Sequence, residues 1–126
     1  MAEEKIVRWK VIDPRGIEIT LYDKTFIIHV RAEHNDRDSA FRAAIEPNVK
    51  KTLERPTLIL PDPDIKNRFQ YYRADLVGLE DQLKKVKTVK VVIEPDSETS
   101  AWKVVTWGAQ NRLQGVFRKE DIVYES

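Results

Sequence analysis

The chain has 126 residues, 41% of them apolar and 34% charged, with a net charge of +1. That is the length of one domain, so 1–126 is read as one, with too much apolar content for a disordered tail. There is no cysteine, which excludes a disulfide scaffold and Cys-ligated zinc or iron–sulfur centres. No apolar run approaches the roughly 20 residues of a membrane span, so no membrane partner is expected. The opening Met-Ala-Glu-Glu-Lys lacks the apolar stretch of a secretory signal, and a cytoplasmic location is expected.

Residues 5–12 alternate as a strand, with Val7, Trp9 and Val11 on one face and Ile6, Arg8, Lys10 and Ile12 on the other. Asp13-Pro14-Arg15-Gly16 has the composition of a type I turn. Ile17, Ile19 and Leu21 then resume the alternation, so a β-hairpin is expected. Residues 22–33 carry divided signals. Phe26-Ile27-Ile28 favours a strand, whereas Phe26, His29 and Val30 fall on one helical face. Residues 36–55 read as a helix, because Phe41, Ile45, Val49 and Leu53 recur every fourth residue among helix-forming alanines. Pro47 is expected to kink or split it near Ile45, and Pro56 to end it.

The second half reads as strands. Thr57-Leu58-Ile59-Leu60 is a short apolar run stopped by Pro61-Asp62-Pro63-Asp64. In residues 69–76, Phe69, Tyr71 and Arg73 oppose Gln70, Tyr72 and Ala74. Residues 78–87 are polar, a loop or a short helix. In residues 88–94, Val89, Val91 and Ile93 alternate with Lys90, Val92 and Glu94. In residues 102–107, Trp102, Val104 and Thr106 oppose Lys103, Val105 and Trp107, so the two tryptophans are expected on opposite faces. A weak last strand is expected around residues 122–124. Strands following helices imply an α+β domain with helices packed on one sheet face.

Charge is unevenly spread. Residues 65–119 hold eleven Lys or Arg against six Asp or Glu, a local +5, which leaves −4 on the rest. Such a segment can present a positive face to an anion. Lysines that only solvate the outer side of strands produce the same count.

Several chemistries are excluded. The four glycines, at 16, 78, 108 and 115, lie too far apart for a phosphate-binding loop, and there is no Gly-x-Ser-x-Gly elbow. His29 and His34, the only histidines, are five apart, about 140° around a helix, so a helix would not aim both at one metal. No metal and no cofactor are expected. Metal-free RNA cleavage stays open, since the 2′-hydroxyl is the nucleophile and the protein supplies a base, an acid and cationic stabilisation of the phosphorane. His29, His34, Tyr71, Tyr72, Arg73, Thr106 and Arg112 are the residue types for it.

These residues carry a resemblance. Thr20-x-x-x-x-x-Phe26-x-x-His29-Val30-x-x-x-His34, a helix ending at Arg55-Pro56, a short apolar stretch into Asp62, then Tyr71-Tyr72, the Val-rich strand 89–93 and Val104-Val105-Thr106-Trp107 together resemble the phage-associated nuclease domains grouped with barnase, EndoU, the colicin ribonucleases and RelE (BECR). The resemblance spans about residues 9–112. Phe26 stands where that family usually has Trp, and Asn35-Asp36 where it has Pro-Glu. It implies two N-terminal helices, here after a short β-hairpin, packed on a four-stranded antiparallel sheet, which tips residues 22–33 towards helix. It also implies metal-independent ribonuclease activity of phage or mobile-element origin.

On that reading His29 and His34 are the acid and base, Arg73 stabilises charge and Thr106 positions the phosphate. Tyr72, Lys90, Lys103, Trp107 and Arg112 would contact RNA, with a protein inhibitor or a phage or host protein as a further partner. The alternative is a catalytically inactive interaction module of phage origin that keeps the same fold.

Overall fold

The alternation of residues 5–12 and 17–21 folds into a hairpin. In the computed structural model, which describes residues 6–30, 36–78, 85–111 and 119–126, strand β1 (Val7–Ile12) pairs antiparallel with β2 (Glu18–Tyr22). Asp13 closes the turn. Its backbone carbonyl accepts the Gly16 N–H at 3.0 Å, and its carboxylate accepts the N–H groups of Arg15 and Ile17 at 2.8 and 2.9 Å. Gly16 takes φ of +82°, a left-handed conformation that a side chain would strain.

Residues 22–33 resolve as helix over α1 (Asp23–Val30). The expected long helix is split at Ile45 into α2 (Asp36–Ala44) and α3 (Glu46–Glu54). Pro47 falls in the first turn of α3, where its missing N–H costs no hydrogen bond. Four strands follow as an antiparallel meander: β3 (Leu58–Pro61), β4 (Phe69–Val77), β5 (Lys85–Pro95) and β6 (Trp102–Gln110). A two-residue strand, β7 (Tyr124–Glu125), pairs with β3.

The expected architecture of two helices on a four-stranded antiparallel sheet is overturned. Three short helices accompany one mixed sheet of seven strands, ordered β1-β2-β6-β5-β4-β3-β7. The hairpin does not stand apart from the meander. β2 runs parallel beside β6, with Ile19 opposite Trp102 and Thr20 opposite Lys103. The strand runs on to Tyr22 and then turns into α1, which packs against β2 and β6.

The helices cover one side of the sheet. Ile45, Val49 and Leu53 join Val89, Val91, Ile93 and Val104 in the core, as the apolar alternation of β5 requires. β6 departs from simple alternation. Val92 pairs with Thr106 but Ile93 pairs with Val104, so Val105 is an extra residue, a β-bulge. The bulge brings Trp107 onto the same side as Trp102 and Val104, both packed with the core. The expectation that the tryptophans oppose each other is corrected, and Thr106 moves to the outer side with Lys103.

The sheet is strongly curled. β1 and β4 are four positions apart, about 19 Å on a flat sheet at ~4.8 Å per strand. Yet Tyr71 of β4 donates its hydroxyl to Asp13 at the end of β1. The turn of the hairpin therefore folds over the helix-bearing side of the meander, continuing the handed twist of the strands.

Candidate functional site

His29 lies at the end of α1, half-buried. Its Nδ1 is 2.8 Å from the Thr25 carbonyl oxygen. A carbonyl only accepts, so Nδ1 carries the proton, and in the neutral ring Nε2 is left as the acceptor. The ring lies over Trp107 at 4.9 Å between centroids, tilted 31°. Phe26, one turn earlier in α1, stacks on the same indole at 6.0 Å and 12°. Trp107 is only 3% exposed and donates its Nε1–H to the Arg42 carbonyl at 3.2 Å. The indole expected to contact RNA is thus buried, with two ring neighbours and its N–H engaged within the protein.

Arg73 is on the helix-bearing side of β4, where it donates Nη1–H to the Arg55 carbonyl at 2.7 Å, just past α3. Its charge also acts on Asp75. Burial pushes the Asp75 carboxyl up, but hydrogen bonds from Asn48 and the Leu76 N–H, with the charges of Lys51 and Arg73, bring it below the usual range. Arg73 is thus held by the scaffold. Thr106 lies on the opposite side of the sheet, so the structure does not bring Arg73 and Thr106 to one surface. His34 and Arg112 lie outside the described residues.

Four of the expected residues do share one side. Alternation from the register places Tyr72, Lys90, Lys103 and Thr106 on the outer side of β4, β5 and β6. Lys90 stands opposite Tyr72 on one neighbour and Gly108 on the other. Lys103 stands opposite Glu94 and Thr20. Lys90, Lys103 and Thr106 are half-buried, and neither lysine makes an ion pair among the described residues. Tyr72 is 5% exposed and donates to Gln70 Oε1 at 2.6 Å. Burial, helped by the charge of Asp62, raises its pKa, so the phenol stays neutral.

Sequence reasoning missed a third cation on this side. Lys10, Thr20 and Lys103 form one row across β1, β2 and β6. The missing information was the parallel β2–β6 contact, which local alternation does not encode. Also missed was the cluster in which Arg8 and Trp9 of β1 both donate to Glu46 of α3. Arg8 additionally reaches Asp23 at 3.3 Å and covers the Phe26 ring at 3.6 Å.

No family model, curated protein or solved structure matches the chain. Among the described residues, no group of three or more His, Asp or Glu is placed to hold a metal ion, and no helix is long and apolar enough to cross a membrane.

Proposed function

We propose that the protein binds RNA on the outer side of β5 and β6. The observation that carries this reading is the placement of Lys90, Lys103 and Thr106 together on that side, opposite the helices. Two ammonium groups and a hydroxyl on adjacent strands suit a phosphodiester backbone, which is recognised by charge and hydrogen bonding without base readout. The basic excess of residues 65–119 adds to the attraction. The reading implies action in the cytoplasm.

The resemblance to BECR ribonucleases adds metal-independent cleavage, with His29 as the proton-transfer residue. In its favour, the Thr25 carbonyl fixes one ring nitrogen and leaves Nε2 as a proton acceptor. A second reading, a binding module without turnover, is favoured by the placement of His29 and Arg73 on the helix-bearing side, away from Lys90, Lys103 and Thr106.

Fluorescence anisotropy with a labelled single-stranded RNA tests the binding. Wild-type protein is expected to bind, and Lys90→Ala with Lys103→Ala to bind weakly; equal affinities overturn the proposal. Incubation with total RNA in EDTA separates the two readings, since only the enzyme degrades it.

A further inference from the structure

The outer side of the sheet ends at a cavity. About 420 Å³ lies between the β1–β2 hairpin and the turn joining β5 to β6, with Lys10, Glu18, Thr20, Thr99, Ser100 and Trp102 in its wall. That volume falls within the range of about 300–1,000 Å³ of small-molecule sites.

The walls are held in place. The Tyr22 hydroxyl donates to the carboxylate of Asp96, tying the hairpin to the start of the β5–β6 turn. Asp96 also accepts the Glu98 N–H at 3.1 Å, and its own N–H bonds the Ala101 carbonyl at 3.0 Å. A site whose walls are already ordered loses little entropy on binding.

The chemistry of the wall is specific. Hydroxyls come from Thr20, Thr99 and Ser100, and a carboxylate from Glu18. Lys10 is paired with Glu18 at 3.2 Å. Thr20 stands between Lys10 and Lys103 on neighbouring strands, which sets the two lysine Cα atoms about 10 Å apart. Hydroxyls and a carboxylate recognise a polyol, and the Lys10 ammonium group recognises a phosphate.

We infer that this cavity binds a ribonucleotide carrying a phosphate monoester, with the sugar towards Glu18 and Ser100 and the phosphate towards Lys10. The inference rests on the RNA-binding reading where the nucleotide is the phosphorylated end of a strand; a free mononucleotide presents the same chemistry.

The test uses two probes. Short labelled RNAs with and without a terminal phosphate are compared by anisotropy, and uridine monophosphate is titrated while the amide NMR signals of Thr99, Ser100 and Ala101 are followed. A phosphorylated end is expected to bind about tenfold tighter than a hydroxyl end. Ser100→Tyr, which fills the cavity, is expected to erase that preference. Shifts caused by the mononucleotide without binding of either RNA support a free-nucleotide site and overturn the RNA-binding face. Equal binding of both RNAs together with unmoved amide signals overturns the cavity assignment and leaves the face standing. Unmoved signals with no binding of either RNA overturn both.

Discussion

The Tyr71 hydroxyl donates to the Asp13 carboxylate and accepts from Arg15 Nη2 at 2.8 Å, joining the hairpin turn to the middle of the sheet. Arg15 Nε also reaches Asp13 at 3.1 Å. Asp13 is 4% exposed and Tyr71 is fully buried. Burial and the Asp13 charge raise the Tyr71 pKa against the opposing pull of Arg15, so the phenol remains a donor. A buried carboxylate is tolerated because every contact named here is a donor.

Tyr71→Phe removes one donor from that carboxylate and one acceptor from Arg15. The expected cost is about 1.5–3 kcal/mol, the size of a hydrogen bond to a charged group. Urea unfolding followed by tryptophan fluorescence measures it. A loss within error of zero would show that the turn is held by apolar contacts alone.

Acid stability depends in part on Glu46. Burial raises its pKa, but hydrogen bonds from Arg8 and Trp9, with the charge of Arg8 and Lys50, outweigh burial and lower it from the usual 4.5. A carboxylate lowered in the folded state contributes stability that is present above its unfolded pKa and disappears as pH falls through the folded one. The wild-type urea midpoint is therefore expected to fall from pH 6 towards pH 3 more steeply than that of Glu46→Gln. Parallel pH profiles would exclude the cluster as a source of acid sensitivity.

The opposite sign holds for Tyr22. Its hydrogen bond to Asp96, then burial, then the charges of Asp96 and Glu98 push its pKa up to about 12. The neutral form is favoured in the folded state, so the contribution is present below the unfolded pKa of about 10 and lost as pH rises to about 12. Tyr22→Phe is expected to flatten the decline in stability over that interval. Thermal unfolding at a series of alkaline pH values checks this.

RNA affinity is expected to fall steeply with salt. Each phosphate neutralised contributes about −0.7 to the slope of log affinity against log salt for a single strand. Lys90→Ala and Lys103→Ala are each expected to weaken binding and flatten that slope by about this amount. A weakened affinity with an unchanged slope would mean that the lysine does not meet a phosphate.

His29→Gln is expected to leave RNA affinity unchanged, because the ring sits on the helix-bearing side and the lysines on the other; loss of RNA degradation in EDTA by the same variant would assign proton transfer to His29 and place the cleaved strand on the helix-bearing side. Undiminished degradation would remove His29 from the chemistry. Intact RNA with wild-type protein would favour the non-catalytic module.

Local patterns in the chain are legible where a single period runs uninterrupted. The alternation of Val89, Val91 and Ile93 is the core side of β5, and the four-residue recurrence from Phe41 to Leu53 is helical with a break at Ile45 before Pro47. The alternation failed in β6. A period-two count cannot see the extra residue Val105, and one inserted residue moves every later side chain to the other side of the sheet. Trp107 therefore lies on the core side and not on the side that a period of two assigns it. Neither residue type, which singles out Arg73, nor the resemblance, which singles out Thr106, carries information about which side of a sheet a strand residue occupies.

Residue order and chemistry alone establish a chain with apolar faces for strands and helices, punctuated by Asp13-Pro14-Arg15-Gly16, Pro47 and Pro61-Asp62-Pro63, and with a net positive balance over residues 65–119, where acids are sparse. These are short-range properties, written in propensity and spacing. Long-range pairing decided the rest. The parallel contact of β2 with β6 makes one mixed sheet and lines up Lys10, Thr20 and Lys103, and the curl that lets Asp13 meet Tyr71 sets the hairpin over the meander. Those contacts depend on how distant strands bury a common core, a free energy that no local window of residues contains.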